Sequence, residues 1–268
     1  MILVLAGTAE GREVVAGLSL AGHRIIACAA TAYGSRLLES CGAAEIITGR
    51  FDAGEMAQLI TARRIPLVVD ATHPFAEQVT ANARHACAAT GTIYLRWQRP
   101  PAKIPDNPLI HPVPGYPEAA AAAVNLARQV IFLATGAKTL AIFTAAARQT
   151  GKKVAARILP DADGLRRCLE LGLSPGDIIA MQGPFSAELN KELLSHFKAD
   201  VLVTKESGLT GGFDAKIRAA LELSLPAVVV TRPPAPQDAV DSIEQLLARI
   251  NASRNTTDRV KEVPSNGI

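Results

Sequence analysis

The first twelve residues join an apolar run to a glycine-containing turn whose spacing suits a phosphate. Residues 1–5 are apolar, residues 6–12 read Ala-Gly-Thr-Ala-Glu-Gly-Arg, and apolar residues then recur at helical spacing. This pattern predicts a strand, a tight turn and a helix whose first N–H groups attract a phosphate or pyrophosphate. Gly7 lets the backbone approach a ligand, and Gly11 lets the helix lie close to the strand. The usual Gly-x-Gly-x-x-Gly fingerprint is incomplete, so an ordinary strand-to-helix turn is the alternative.

The residues after the second predicted strand, 24–30, bear on which dinucleotide would bind. An acid at this point binds the ribose 2′-hydroxyl of NAD, whereas an Arg accommodates the 2′-phosphate of NADP. No Asp or Glu occurs between residues 24 and 38, and Ser35 and Arg36 are able to contact a phosphate. The sequence therefore favours NADPH, with NADH as the alternative. The competing interpretation is that Ser35 and Arg36 only begin a solvated helix.

The fourth predicted strand, 67–70, ends in the polar stretch Asp-Ala-Thr-His-Pro-Phe-Ala at 70–76. In open α/β sheets ligands bind at the carboxyl ends of the strands. We therefore expect Asp70, Thr72 and His73 to lie beside the cofactor. For His73 the alternative is a structural role before a proline turn.

Polar and glycine-rich residues also follow the strands predicted in the second half of the chain. The carboxyl ends of parallel strands meet at one edge of a sheet, so these residues should form one cluster. Several cations together are suited to a ligand with several carboxylates, and a set of ordinary loops is the alternative. The residues concerned are Lys138, Ser186, Lys205, Ser207, Lys216 and Arg232.

Alternation of short apolar runs and helical segments along the whole chain predicts an α/β fold with parallel sheets covered on both faces. The proline-rich stretch 99–117 is expected to lack regular structure and to link two domains. We place a first domain at 1–115 and a second at 116–251. The last predicted helix covers 237–251, and the polar segment 252–268 is expected to be disordered.

The composition of the chain limits the classes of function that it is expected to have. The chain has 268 residues, 49% hydrophobic, with a net charge of +3 and no block of Lys or Arg, so we expect no nucleic-acid partner. Its four cysteines are scattered without metal-ligand spacing, which indicates reduced thiols and no resident metal. No apolar run approaches a membrane span of about 20 residues and no signal peptide is evident. A cytoplasmic protein without a membrane partner is expected.

Six motifs, taken in order, resemble those of the precorrin-6A reductases of cobalamin biosynthesis, and the resemblance covers residues 1 to about 250. It implies two Rossmann-like parallel-sheet domains with the active site in the cleft between them. It also implies NAD(P)H-dependent reduction of one carbon–carbon double bond of precorrin-6A, or of its cobalt form, to the 6B product. The motifs are Gly-Thr-x-Glu-Gly-Arg at 7–12, Asp-Ala-Thr-His-Pro-Phe-Ala at 70–76, Gly-Pro-Phe-Ser at 183–186, Thr-Lys-x-Ser-Gly at 204–208, Gly-Gly-x-x-x-Lys at 211–216 and Arg-Pro at 232–233.

With this resemblance the candidate residues acquire roles. Thr72 and His73 would flank the nicotinamide, and the substrate carboxylates would contact the second-half residues, with Lys138 and Ser186 among them. Lys205, His73 and Ser207 are the candidate catalytic residues, and the proton would come from Lys205, His73 or a bound water. Cobalt would arrive inside the macrocycle. The residues expected to hold the cofactor phosphates and ribose are Gly7, Thr8, Glu10, Gly11 and Arg12, with Ser35 and Arg36 at the 2′-position.

Two other classes of protein share some of these features. A glycosyltransferase with two Rossmann-like domains would bind a nucleotide sugar, and a non-catalytic redox sensor would bind NAD(P)H but would need a partner or DNA surface. The reductase accounts for more of the polar strand ends than either. Its partner would be an anionic corrinoid small molecule, and the protein is expected to be a monomer or small homo-oligomer.

Overall fold

The computed structural model describes residues 1–208 and 211–261, with side chains up to residue 253. The chain divides into two compact units. The first contains residues 1–100 together with the chain from Pro234 onward, and the second contains Pro101–Pro233.

The first unit is built on a five-stranded parallel sheet in the order β3-β2-β1-β4-β5. Its strands are entirely or largely apolar, as expected for parallel strands covered on both faces. The strands are β1 Ile2–Leu5, β2 Ile25–Ala29, β3 Glu45–Thr48, β4 Leu67–Asp70 and β5 Ile93–Arg96. The helices that follow them are α1 Ala9–Leu20, α2 Ala32–Leu38, α3 Ala53–Ala62 and α4 Glu77–Thr90.

The chain changes direction across this sheet next to β1. From β1 it proceeds to β2 and β3 on one side, and then to β4 and β5 on the other. Ile2 accordingly pairs with both Ile25 and Leu67. Such a switch point opens a crevice at the carboxyl ends of the two central strands, where ligands bind in open α/β sheets. The turn after β1 and the polar stretch after β4 both begin there.

Helix α1 lies unusually close to the strand that precedes it. A Cβ atom built on Gly11 would lie 2.7 Å from Ala6 Cα, closer than side chains tolerate. The predicted role of Gly11 in close helix–strand packing is thereby confirmed. Gly7 differs, because a Cβ atom there would meet nothing within 4 Å.

The second unit contains a six-stranded parallel sheet in the order β6-β11-β10-β7-β8-β9. Its switch point lies between β7 and β10, so the residues that follow these two strands are neighbours at one edge. The strands are β6 Ile110–Val113, β7 Val130–Leu133, β8 Lys153–Ile158, β9 Ile178–Ala180, β10 Val201–Lys205 and β11 Ala227–Val230. The helices are α5 Tyr116–Leu126, α6 Leu140–Gln149, α7 Ala162–Glu170, α8 Ala187–His196 and α9 Phe213–Glu222.

The expectation that 99–117 lacks regular structure is wrong for β6. This strand contains Pro112 and pairs with β11, with Ile110 opposite Ala227. Proline removes a ladder donor, so it is accepted at the edge of a sheet, which is where β6 lies. The linking segment before β6 belongs to the second unit, and the first boundary falls at residue 100 instead of 115.

The last helix, α10 Ile243–Lys261, belongs to the first unit, whereas the prediction for 116–251 puts its beginning in the second domain. Leu246 and Ile250 are buried in the same apolar cluster as Val14 and Leu18 of α1. Burial of this apolar stripe explains the attachment. The helix begins six residues later than predicted, and 252–261 are helical and not disordered. Residues 262–268 lie outside the described residues.

Three features of the described part of the chain bear on the expected class of protein. Within it no helix is long and apolar enough to cross a membrane. The same residues contain no group of three or more His, Cys, Asp and Glu side chains placed to hold a metal ion. The four cysteines are free thiols, and burial raises the pKa of Cys28 to about 12.

Gly11→Ala should destabilise the first unit, because the added methyl must displace the backbone at Ala6. Overpacking of this kind costs about 1–3 kcal/mol and outweighs the better helix propensity of Ala, at most about 1 kcal/mol. Urea unfolding followed by circular dichroism measures the change. Gly7→Ala is the matched control and should unfold at the wild-type midpoint. Equal midpoints for the two variants would contradict the close approach.

Candidate active site

The turn after β1 presents an exposed backbone beside a helix N-terminus. Thr8 caps α1, since its Oγ1 accepts a hydrogen bond from Gly11 N at 2.9 Å. The same hydroxyl donates to Ala71 O at 3.3 Å and so joins the turn to the loop after β4. Gly7 is exposed, and Glu10 and Arg12 are half-buried on the first turn of α1. Open space above Gly7 and the positive end of α1 fit the pyrophosphate of a dinucleotide.

A buried ion pair underlies the loop after β4. Asp70 is fully buried, and its carboxylate lies 2.7 Å from Arg96 Nη1, which is 3% exposed. The two residues are register partners at the ends of β4 and β5. Asp70 also accepts hydrogen bonds from Thr72 Oγ1 at 2.6 Å, Thr80 Oγ1 at 2.7 Å and Tyr94 Oη at 2.8 Å.

This network keeps Asp70 ionised. Burial opposes ionisation, but Arg96 and the hydrogen bonds from Thr72 and Thr80 outweigh it, so the pKa of Asp70 lies below its ordinary value. Asp70 therefore supports the loop from a fully buried position.

Thr72 and His73 are fixed by this support. Thr72 donates its hydroxyl to Asp70, and Arg96 Nη2 donates to Thr72 O at 2.9 Å. His73 Nδ1 accepts a hydrogen bond from Phe75 N at 3.3 Å, which leaves the proton of a neutral ring on Nε2. Both residues follow the carboxyl end of β4, next to the Thr8 turn, as their predicted role beside the cofactor requires.

The predicted 2′-phosphate residues differ in their surroundings. Ser35 is buried, and its hydroxyl lies 2.6 Å from Thr48 Oγ1, so it holds α2 against β3 instead of facing solvent. Arg36 is exposed, with its guanidinium carbon 6.0 Å from the centre of the Tyr33 ring. Arg36 alone of this pair presents a charge to a ligand.

In the second unit three predicted lysines lie near one another at the switch point. Lys138 follows β7, Lys205 ends β10 and Lys216 is on the first turns of α9. Burial, followed by the charge of Lys138, lowers the pKa of Lys205. Burial, followed by the charges of Arg157 and Lys205, lowers the pKa of Lys216 to about 7. These effects are those expected where like charges lie close together at neighbouring strand ends.

Arg157 is a cation that the sequence reasoning missed. It is 8% exposed on β8, Nη1 donates to Asn190 Oδ1 at 2.8 Å, and its guanidinium carbon lies 4.6 Å from the centre of the Phe185 ring. Burial lowers its pKa to about 10. The sequence does contain a signal for this residue, namely a charged side chain within the largely apolar segment Lys153–Ile158.

Arg232 and Ser186 are engaged with the protein itself. The guanidinium of Arg232 forms a buried ion pair with Glu206, whose Oε1 also accepts from Ala102 N at 2.9 Å. Its charge is thus compensated, and Glu206 was a partner that the sequence reasoning missed. Ser186 caps α8 by accepting from Leu189 N at 3.2 Å.

Fold and candidate site define an α/β protein with one sheet suited to a dinucleotide and a second sheet that gathers cations. Comparison with known proteins identifies the class. The family model "Precorrin-6x reductase CbiJ/CobK" matches residues 1–251. The chain belongs to this family of reductases, and such a reductase requires a hydride donor.

Individual relatives agree. A "Cobalt-precorrin-6A reductase" of Methanothermobacter thermautotrophicus is 40% identical over 87% of this chain and 76% of its own. One of Priestia megaterium is 36% identical over 95% and 100%. A "Precorrin-6A reductase" of Rhodobacter capsulatus is 30% identical over 88% and 89%. The solved structure titled "CobK precorrin-6A reductase" has a TM-score of 0.73 at 27% identity and covers 94% of this chain and 96% of that one.

Asp70→Asn should cost about 3–5 kcal/mol of stability, because it leaves the buried Arg96 without its counter-charge. In the wild type, the stability contributed by ionised Asp70 is present above pH 3.8 and is lost as pH falls through its lower folded-state pKa. The variant should lack this acid-dependent component. Urea unfolding at neutral and at acid pH measures both effects.

Asp163→Asn supplies the control for this experiment, since the Asp163 side chain is 88% exposed in its pair with Arg166. Its stability should stay within about 0.5 kcal/mol of the wild type. A cost equally small for Asp70→Asn would show that the buried pair does not stabilise the loop.

Proposed function

We propose that the chain uses NADPH to reduce one carbon–carbon double bond of cobalt-precorrin-6A, a macrocycle fringed with carboxylates. The observation that carries the proposal is the cation cluster of the second unit, Lys138, Lys205, Lys216 and Arg157, in a chain that belongs to the reductase family. Like charges lower one another's pKa, and an anionic ligand relieves this repulsion. The metal-free macrocycle is the second candidate, and the relatives at 40% and 36% identity are named for the cobalt form.

The first unit would hold the cofactor. Gly7 and the N-terminus of α1 receive the pyrophosphate, with Thr8, Glu10 and Arg12 around it. Gly11 acts indirectly, by bringing α1 close to β1. Thr72 and His73 face the nicotinamide from the loop that Asp70 and Arg96 support. When bound, NADPH supplies the hydride, and the protein supplies orientation and electrostatics.

The choice of NADPH depends on Arg36. It is exposed after the carboxyl end of β2, where the 2′-phosphate of NADP is bound in dinucleotide folds. The chain has no Asp or Glu between residues 24 and 38 to bind the 2′-hydroxyl of NAD. Ser35 is left out of this contact because its hydroxyl is already bonded to Thr48.

Arg36→Ala should weaken NADPH binding by about tenfold or more and leave NADH binding unchanged, because only NADPH carries the 2′-phosphate. Titration followed by the fluorescence of the reduced nicotinamide measures both affinities. Arg24→Ala is the matched control, because Arg24 is exposed at the opposite end of the same strand. This variant should bind both cofactors like the wild type. Equal wild-type affinities for NADPH and NADH would contradict the NADPH assignment.

The second unit would hold the substrate. Lys138 is exposed and Lys205 half-exposed at adjoining strand ends, so both are placed to receive carboxylates. Arg157 and Lys216 lie deeper and add positive potential. Hydride would reach one carbon of the double bond and a proton the other, so that oxidised cofactor and the reduced macrocycle leave. Arg232 would act by holding Glu206, and Ser186 by capping α8, without contact to the carboxylates.

Lys205→Ala should raise the KM for the macrocycle or lower kcat, because a charge-assisted contact worth about 1.5–3 kcal/mol is lost. Cofactor affinity should stay at the wild-type value. Anaerobic turnover of cobalt-precorrin-6A, followed by loss of reduced nicotinamide absorbance, measures these parameters. Lys191→Ala is the control, since Lys191 is a half-exposed residue of α8 that pairs with Glu222 of α9. Wild-type kinetics in Lys205→Ala would remove Lys205 from the site, and absence of turnover with both macrocycles would refute the proposed reaction.

A further inference from the structure

Lys216 is a buried lysine with a defined hydrogen-bonded neighbourhood. It is 7% exposed, and its Nζ donates to Gly211 O at 3.0 Å and to Ser207 Oγ at 3.5 Å. Substrate carboxylates bind most readily to exposed cations, so the burial of Lys216 suits a role other than direct carboxylate binding.

Ser207 connects that lysine to the surface. It is half-buried, and its hydroxyl accepts from Lys216 Nζ and donates to Gly211 O at 3.3 Å. The backbone at Gly211 packs tightly against this side chain, because a Cβ there would lie 2.3 Å from Ser207 Oγ. The packing holds the hydroxyl next to Lys216 Nζ, at the carboxyl end of β10.

The charges around Lys216 are of its own sign. Burial lowers its pKa first, and the charges of Arg157 on β8 and Lys205 on β10 lower it further. Helix α8, which packs against α9, carries Glu188 and Lys191, but these pair with Arg218 and Glu222 on the exposed side. The nearby acid Glu206 is bonded to Arg232. At neutral pH the site therefore holds Lys216 partly deprotonated until an anion arrives.

We propose that Lys216 is the source of the proton added to the macrocycle, delivered through Ser207, and that binding of the substrate's carboxylates loads this proton. This inference rests on the proposed function, since it concerns the proton that accompanies the hydride.

Every atom in this step is accounted for. The Ser207 hydroxyl turns from Gly211 O towards the macrocycle and gives its proton to the carbon that does not receive the hydride, while Lys216 Nζ transfers a proton to the same oxygen. Ser207 ends unchanged, Lys216 ends neutral, and the double bond has gained one hydride and one proton. Departure of the anionic product keeps Lys216 neutral, and the next substrate brings in a proton from solvent.

Coulomb interaction explains the loading. Carboxylates placed at Lys138 and Lys205 offset the positive potential that disfavours the ammonium form of Lys216, so its pKa rises on binding. A rise from about 7 means that binding takes up close to one proton per site at alkaline pH. Uptake declines at acid pH, where Lys216 is already protonated.

Calorimetric titration with the macrocycle in buffers of different ionisation enthalpy measures the proton uptake directly. We expect uptake near one proton at pH 8 and less at pH 6. Lys216→Met should abolish this uptake while the macrocycle still binds. Lys191→Met is the control on an exposed surface and should show wild-type uptake.

The Ser207→Ala variant separates the loading of the proton on Lys216 from its delivery to the macrocycle. It leaves Lys216 in place and removes a small, half-buried hydroxyl, so we expect normal folding and normal proton uptake. Turnover should fall by about 10²-fold or more, the range for loss of a general acid, and show a larger solvent isotope effect. The KM for NADPH should not change. A kcat–pH profile of the wild type should decline at alkaline pH, where Lys216 loses its proton.

The outcomes separate the two proposals. Absence of macrocycle turnover by the wild type would refute the proposed function. A wild-type enzyme that turns over but takes up no proton on binding would overturn the loading by Lys216. Turnover of Ser207→Ala at the wild-type rate would overturn proton delivery through Ser207. Wild-type proton uptake in Lys216→Met would overturn Lys216 as the source of the proton.

Discussion

A charge buried in a protein must be compensated by an opposite charge or by hydrogen bonds, and both units of this chain are arranged around that requirement. In the first unit, Asp70 and Arg96 meet across the ends of β4 and β5 and compensate each other. Their pair holds the loop that carries Thr72 and His73 in one conformation. In the second unit, Glu206 does the same for Arg232. Lys216 is supported by hydrogen bonds to Gly211 and Ser207, and Arg157 by a hydrogen bond to Asn190 and by the Phe185 ring.

This contrast distinguishes the roles of the two units. A compensated pair stabilises a loop and fixes its backbone, which suits the precise placement of a dinucleotide. Clustered like charges do the opposite, because they destabilise the ligand-free protein and gain free energy when an anion binds. The reaction proposed here uses both properties, with orientation supplied at the Thr8 turn and electrostatic response at the Lys138–Lys205 edge.

Much of the fold followed from local patterns. Short apolar runs alternating with helical segments predicted ten of the strands, since fully buried parallel strands are apolar on both faces. Strand β6 was missed because Pro112 normally marks irregular structure, and only pairing with β11 makes it a strand. Helix α10 was assigned to the second domain because sequence order was the sole guide, whereas Leu246 and Ile250 pack with α1.

The sequence by itself determined the α/β class, the family resemblance, the glycine turn at Gly7 and Gly11, and the cations at successive strand ends, because each depends on residue type and spacing within a short segment. Only the tertiary structure decided which of these side chains are available to a ligand. The Ser35 hydroxyl is bonded to Thr48 and Arg232 is paired with Glu206, while Arg157 on β8 is close enough to Lys216 on α9 for its charge to lower the pKa of that lysine. The physical reason is that burial and pairing are set by strand order, which brings together residues far apart in the chain.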